Sequence, residues 1–359
     1  MSREVVLAIN PGSTSTKLAL YDRKGAVHIE AIDHTGTEIC DVISIVDQLP
    51  LRLEIITQSV KSWLKDCMLV AVVGRGGLVK PIKSGIYAVN ADLMNDTITC
   101  KYATHASNLG ASIADAIAKD YNVPAFVVDP VTVDEFIPEA RISGVPEISR
   151  RSRLHALNVN ACIRKEAKRL GKKYNQLNFV VAHMGGGITV AAIDHGQIVD
   201  CNDALMGMGP FSPERAGALP LEQLIQMAMS GKYSFKNLYV KFTRNSGLKA
   251  YLGTSDMREI LKRISEGDEY ADLIYRAMIY QVAKEIGAMA TVLHGQVDRI
   301  IITGGLARSG KIVQDLESRI KFITKIAVYP GENELESLAA GGFRAIDGEQ
   351  EIQIYHSES

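Results

Sequence analysis

Two stretches of this 359-residue chain share one layout and stand half a chain apart. The first runs from Val5 to Asp22 as VVLAINPGSTSTKLALYD, the second from Phe179 to Asp194 as FVVAHMGGGITVAAID. Each is an apolar strand, a polar residue, a tight glycine-containing turn, a second apolar strand, and then Asp with a glycine close behind. Short apolar runs bounded by glycine read as buried strands. The recurrence restricts the chain to a duplicated α/β architecture. Successive backbone N–H groups in a tight turn can hold a phosphate, and glycine lets the backbone come close. A plain β-hairpin turn is the other reading of either stretch alone; the repetition favours the phosphate reading, with a nucleotide between the halves. In the first turn Asn10 and Gly12 are followed by the hydroxyls of Ser13, Thr14, Ser15 and Thr16, and Lys17 adds charge if it turns inward. In the second, His183 precedes Gly185, Gly186 and Gly187. Neither is a Walker loop, since no GxxxxGK[ST] occurs. Neither is a dinucleotide fingerprint, since a strand follows the turn where a helix belongs.

The length suits about two domains. With 47% hydrophobic and 23% charged residues and a formal net charge of -1, nothing pulls the chain toward nucleic acid or an anionic membrane. The five cysteines, Cys40, Cys67, Cys100, Cys162 and Cys201, are scattered without a CxxC pair, so neither a disulfide framework nor a zinc site is expected. No apolar run reaches about 18 residues and no signal-peptide pattern opens the chain, which leads to a cytoplasmic expectation.

Strands are expected within residues 4–32, at 69–73, at 125–128 and at 299–303. Helices are expected over 50–65, 105–119, 150–170 and 334–346, and helices dominate 221–294. The apolar segment 271–293 reads as a core helix or part of a subunit contact. The strand Ile300-Ile301-Ile302-Thr303 ends in Gly304-Gly305, where small residues let a flat group such as adenosine approach, a buried loop turn being the alternative.

At this point the residues resemble a family. Two hairpins with phosphate turns and a later strand-Gly-Gly are similar to the sugar kinase, heat-shock chaperone ATPase and actin superfamily. Within it the chain resembles the acetate and butyrate kinases. Asn10 to Lys17 is similar to their NxGSSSxK pattern, His183-Met184-Gly185-Gly186-Gly187 to HLGNG, and Arg150-Arg151 with His155 to RRxxxHG. Ser246-Gly247-Leu248 with Gly253 to Arg258 is similar to SGL…GxSxDxR. HRVVHGG is reduced to Gly74-Arg75-Gly76-Gly77, HNP becomes His105-Ala106-Ser107, and GTRSGD becomes Pro213 to Gly217, which looks like the butyrate and branched-chain branch.

The resemblance implies two duplicated actin-like (ribonuclease H-like) domains with a nucleotide cleft between them. They are expected at 1–150 plus 335–359, on the carboxylate side, and at 151–334, on the nucleotide side. It implies reversible, in-line transfer from ATP to butyrate, giving butyryl phosphate and ADP. Isobutyrate, propionate and acetate are the alternative acceptors, and an actin- or chaperone-like ATPase module is a more distant alternative. A carboxylate is already ionised at neutral pH, so positive charge rather than a base is required. Arg75 and Arg215 take that role by resemblance, a guanidinium fork matching carboxylate and phosphoryl oxygens. His183 is expected to donate to the γ-phosphoryl group. Asp129 is expected to orient Arg75 or hold Mg²⁺ through water, and His105 to line the substrate pocket or simply begin a helix. Glu334 matches the metal-associated glutamate, with Glu332 close enough to exchange places with it. Asp256 and Arg258 reach the nucleotide or else begin the next helix. Acetate kinases carry valines after the matching arginine, so Gly76 and Gly77 are expected to leave room for a longer acyl chain. A homodimer or larger homo-oligomer is implied.

Overall fold

The computed structural model describes residues 3–37, 39 and 44–358; Cys40 lies outside them. The chain divides into two compact units, Met1–Val133 with Asn333–Ser359, and Asp134–Glu332.

In the first unit, strands β1 (Arg3–Pro11), β2 (Ser15–Asp22) and β3 (Gly25–Asp33) form an antiparallel meander. β4 (Cys67–Arg75) lies parallel to β1, and β6 (Ala125–Val128) parallel to β4. β5 (Ile86–Ala88) and the C-terminal strand Ile352–Ile354 extend that edge. Strand alternation sends Val5, Leu7 and Ile9 to one face, where they pack on Ile56 and Val60 of helix Leu49–Trp63 and on Leu109, Ile113 and Ile117 of helix Leu109–Tyr121. Val6, Val73 and Val128 point the other way, toward helix Glu334–Ile346. An ideal Cβ at Gly341 would stand 2.5 Å from Val128, and one at Gly342 2.8 Å from Val6 and Val73. The Ala-Ala-Gly-Gly run therefore lets this helix sit low on the sheet.

A second close approach lies on the opposite face. A Cβ on Gly74 would stand 2.1 Å from the Gly110 carbonyl oxygen, and one on Gly110 2.1 Å from that of Arg75. Both neighbours are backbone and cannot turn aside. Gly74→Ala is expected to cost at least about 1–3 kcal/mol of unfolding free energy by overpacking. Gly287→Ala, in a helix with nothing within 4 Å, is expected to be neutral or stabilising. Denaturant melts of the two variants check this; equal stabilities would refute it.

In the second unit β7 (Phe179–Met184), β8 (Ile188–Asp194) and β9 (Gln197–Cys201) form another antiparallel meander, with β10 (Arg299–Gly304) and β11 (Ile326–Pro330) parallel beside β7. The order β11-β10-β7-β8-β9 reproduces β6-β4-β1-β2-β3 strand for strand. Val180, Ala182, Ile300 and Ile302 pack on Tyr275, Val282 and Ile286 of helix Glu269–Val292 and on Ile312 and Leu316 of helix Gly310–Ile320. The other face meets helix Ala156–Arg169.

Three expectations need correction. The helix expected over 150–170 begins only at Ala156, because Arg150 is drawn out to Asp200 (2.7 Å) and the Cys201 carbonyl (2.9 Å). Helix Glu269–Val292 buries one face only; Tyr270, Leu273 and Tyr280 on its other side are about half exposed. Residues 134–150, placed with the first domain on sequence grounds, pack in the second unit, where the Ile137 N–H donates to the Val199 carbonyl and Glu135 accepts from the Ile198 N–H. No helix among the described residues is long and apolar enough to cross a membrane.

Candidate active site

In the first unit the β1–β4 register pairs Ile9 with Gly74, so Asn10 and Arg75 end adjacent strands on the face that carries helix Glu334–Ile346. Glu334 opens that helix, where the dipole favours a carboxylate. Its Oε2 accepts from Asn10 Nδ2 at 2.5 Å and its Oε1 from Arg75 Nη1 at 2.6 Å. These contacts join residues 324 and 259 positions apart. Arg75 is only 8% exposed, which strengthens the charged bond. His105 keeps area open to solvent, yet desolvation by the surrounding protein and, second, the Arg75 charge hold its pKa below the usual imidazole range. It also caps the short turn Ala106–Asn108 through the Ser107 N–H.

Asp129 directly follows β6 in the left-handed backbone region, at φ +41°. Its carboxylate accepts from the Gly85 N–H (2.8 Å) and its own N–H donates to the Gly85 carbonyl (2.9 Å). That pair holds a conformation that costs a non-glycine residue about 1–2 kcal/mol. The room expected beside Gly76 and Gly77 is taken. A Cβ on Gly76 would lie 2.7 Å from the Pro130 ring, and one on Gly77 2.7 Å from Asn108 Cα. These glycines allow close packing; they do not open a volume for the acyl chain.

The first turn closes through the Gly12 N–H and the Ser15 carbonyl at 2.7 Å, leaving Ser13 and Thr14 exposed. Lys17 is the cross-strand partner of Asn10, so it leaves the sheet on the same face. Beneath the turn lies Arg52, fully buried, donating to the Gly12 carbonyl (3.0 Å), Thr16 Oγ1 (2.8 Å) and Gln48 Oε1 (2.9 Å). The His34 Nε2 meets the same threonine hydroxyl at 2.8 Å, and burial, then Arg52, pushes its pKa down. Sequence reasoning passed over both. The available signal was that Arg52 occupies the stripe of Ile56 and Val60 at four-residue spacing, a charge on the buried face of a helix.

In the second unit His183 is the penultimate residue of β7, opposite Thr303. Asn158 Nδ2 donates to the Glu332 carbonyl (2.7 Å), which makes its Oδ1 the acceptor for the Thr303 hydroxyl (3.1 Å) and for His183 Nδ1 (2.8 Å). The His183 proton therefore sits on Nδ1 in the neutral ring. Nε2 lies on the side of the glycine turn, 3.7 Å from where a Gly185 Cβ would stand. His155 stacks on His183, centroids 4.0 Å apart and planes 12° off parallel, with its own Nδ1 on Thr189 Oγ1 at 2.8 Å. The resemblance quoted His155 without giving it a role, and Asn158 went unnoticed; the geometry brings both to His183.

The second turn closes from the Gly185 N–H to the Gly187 carbonyl at 3.0 Å. Ser212 donates to the Gly186 carbonyl (2.5 Å) and accepts from the Arg215 N–H (3.0 Å). The Arg215 guanidinium crosses Gly187 so closely that a Cβ there would stand 2.1 Å from Nη1. That Nη1 donates to the Ala204 carbonyl at 2.5 Å, while Nε is buried with no partner among the described residues. Desolvation lowers the Arg215 pKa from its ordinary value. A buried N–H donor on a cation over a glycine turn suits an anionic oxygen. The Glu332 Oε1 lies 3.8 Å from the Gly185 Cβ position. Gly304, at φ +88°, would drive a Cβ to 2.3 Å from the Met184 carbonyl oxygen, so close packing demands glycine there; beside Gly305 the space is open. Asp256 caps helix Met257–Ser265 through the Arg258 N–H (2.9 Å) and pairs with the exposed Arg258 side chain (2.8 Å).

Residues 147–343 match the model of the acetokinase family. The chain belongs to that family. It is 47% identical over 351 residues to "Probable butyrate kinase 2" of Caldanaerobacter subterraneus subsp. tengcongensis and 45% identical to "Butyrate kinase 1" of Clostridium acetobutylicum, covering 98% of this chain and 99% of each relative. The acetokinase fold is shared with Porphyromonas gingivalis acetate kinase, whose crystal structure superposes with a TM-score of 0.78 at 18% identity, covering 96% of this chain and all of that one. The duplicated α/β architecture expected from the paired hairpins is the one observed. Among the described residues no group of three or more His, Cys, Asp or Glu side chains is placed to hold a metal. Mg²⁺ bound with a nucleotide needs no such cage, since it keeps waters and phosphate oxygens as ligands.

Proposed function

We propose that this acetokinase-family chain is an ATP-dependent butyrate kinase. The observation that carries this reading is the similarity, over nearly the whole length, to relatives named butyrate kinase. A carboxylate oxygen of butyrate attacks the γ-phosphorus of ATP, the bond to the β-phosphate oxygen breaks, and butyryl phosphate and ADP leave. The acid is ionised at neutral pH, so the task is to bring two anions together. Arg75, steadied by Glu334 and Asn10, holds the carboxylate. The 185–187 turn takes phosphate oxygens, with the spare Nε–H of Arg215 as a further donor. His183 donates from Nε2 only when doubly protonated, because Nδ1 is committed to Asn158. Glu334 or Glu332 would hold Mg²⁺ through water, and the ion would supply charge neutralisation at the phosphates. Gly304 and Gly305 border the adenosine, with Asp256 and Arg258 near the ribose. Asp129 supports the strand end beside Arg75.

Trapping acyl phosphate as hydroxamate, with butyrate, isobutyrate, propionate and acetate compared, tests the proposal. Butyrate is expected to give the highest kcat/KM, with neighbouring acids lower by about 10–200-fold at most. ADP release that is independent of any carboxylate, with no hydroxamate from any acid, would replace the kinase by an ATPase module. A maximum on isobutyrate or acetate would keep the chemistry and change the substrate.

A further inference from the structure

Residues 352–357 make a concentrated set of bonds to one neighbouring helix. Strand Ile352–Ile354 pairs with β5, and the next residue, Tyr355, is buried. The Tyr355 hydroxyl donates to Asp96 Oδ2 at 2.8 Å, and the Ser357 hydroxyl to Asp96 Oδ1 at 2.8 Å. The Ser357 N–H donates to Asp92 at 3.1 Å, and Asn90 Nδ2 to the Tyr355 carbonyl at 2.7 Å. Asp96 has no exposed surface. These bonds all land on helix Ala91–Ile98 or its N-cap, Asn90.

The residue after Asp96 carries the contact onward. The Thr97 methyl would stand 3.0 Å from a Gly77 Cβ, and the Thr97 carbonyl accepts from Asn108 Nδ2 at 3.1 Å. Asn108 Oδ1 in turn accepts from the Leu78 N–H at 2.9 Å. Gly77 and Leu78 belong to the loop that begins at Arg75. We infer that the tail is a clamp: Tyr355 and Ser357 hold helix Ala91–Ile98 through Asp96, and that helix holds the Arg75–Leu78 loop in place. On the kinase reading above, Tyr355 and Ser357 are then positioning residues for the carboxylate-binding arginine. Without the hydroxyl donors the buried Asp96 carboxylate keeps the Lys101 ammonium, 3.9 Å from Oδ1, in place of short hydrogen bonds, so the helix shifts to let water in and its support of the loop goes with it.

The test compares the full chain with Tyr355→Phe, Ser357→Ala and a chain ending at Ile354. In the hydroxamate assay the KM for butyrate is expected to rise about tenfold in Tyr355→Phe and further in the truncation, with the KM for ATP within about twofold of wild type. Hydrogen exchange supplies a readout free of the reaction: the peptide containing the Leu78 amide is expected to exchange about tenfold faster. If the truncated chain does not fold, Tyr355→Phe, which keeps the ring, decides. Unchanged exchange at Leu78 overturns the clamp, as does an equal rise in both KM values. Faster exchange in a protein that makes no acyl phosphate keeps the clamp and removes the kinase reading instead.

Discussion

Arg75→Ala is expected to lower kcat/KM for the carboxylate by about a thousandfold. The loss of one charged donor in a water-poor site costs about a hundred- to a thousandfold, and Arg75 also relieves the repulsion between two anions. Arg75→Lys keeps the charge but not the planar fork, and is expected to fall between. The alanine variant also leaves the Glu334 carboxylate with Asn10 as its remaining partner in the pair described above. About 1 kcal/mol of stability should be lost, held down because Glu334 is partly solvated. Because Arg75 and Glu334 are bonded to each other, their effects should not add. Arg75→Ala combined with Glu334→Gln is expected to be little worse than Arg75→Ala alone. Steady-state kinetics of the four proteins checks this. A folded Arg75→Ala enzyme within about fivefold of wild type would end the assignment.

The second large effect concerns a glycine. Gly187→Val is expected to lower kcat by about a hundredfold or more, through Arg215. A side chain at 187 would occupy the place of the guanidinium, whose Nη1 stands 2.1 Å from the Cβ position and donates to the Ala204 carbonyl. Arg215 must leave, and the donor over the phosphate turn leaves with it. Arg215→Ala should reproduce the defect, and the double variant should be no worse than either single one. If Gly187→Val keeps full activity while Arg215→Ala does not, the guanidinium tolerates the side chain and the proposed cradle is wrong.

The site was readable in sequence to the extent that local pattern carries it. Asn10, His183 and the two glycine turns stand inside hairpins whose alternation and length announce them. Arg215 and Glu334 entered through family resemblance, since nothing local distinguishes either from an ordinary surface residue. Arg52 and Asn158 escaped because a polar residue on a helix face looks solvated until its burial is known. Gly76 and Gly77 misled for the opposite reason. A missing side chain reads as space in a sequence, while in the fold Pro130 and Asn108 have moved in.

By itself the sequence determined the duplicated strand–turn–strand units, the α/β class and the family. These depend on short-range periodicity and on glycine at turns, which neighbouring residues enforce. Family resemblance placed the last helix with the first domain; only the tertiary structure set Glu334 against Arg75 and Asn10 and laid Arg215 across Gly187. It also decided that the tail reaches Asp96. Such meetings join residues far apart in the chain. They follow from strand order, register and the packing of small residues against the sheet, none of which a local pattern contains.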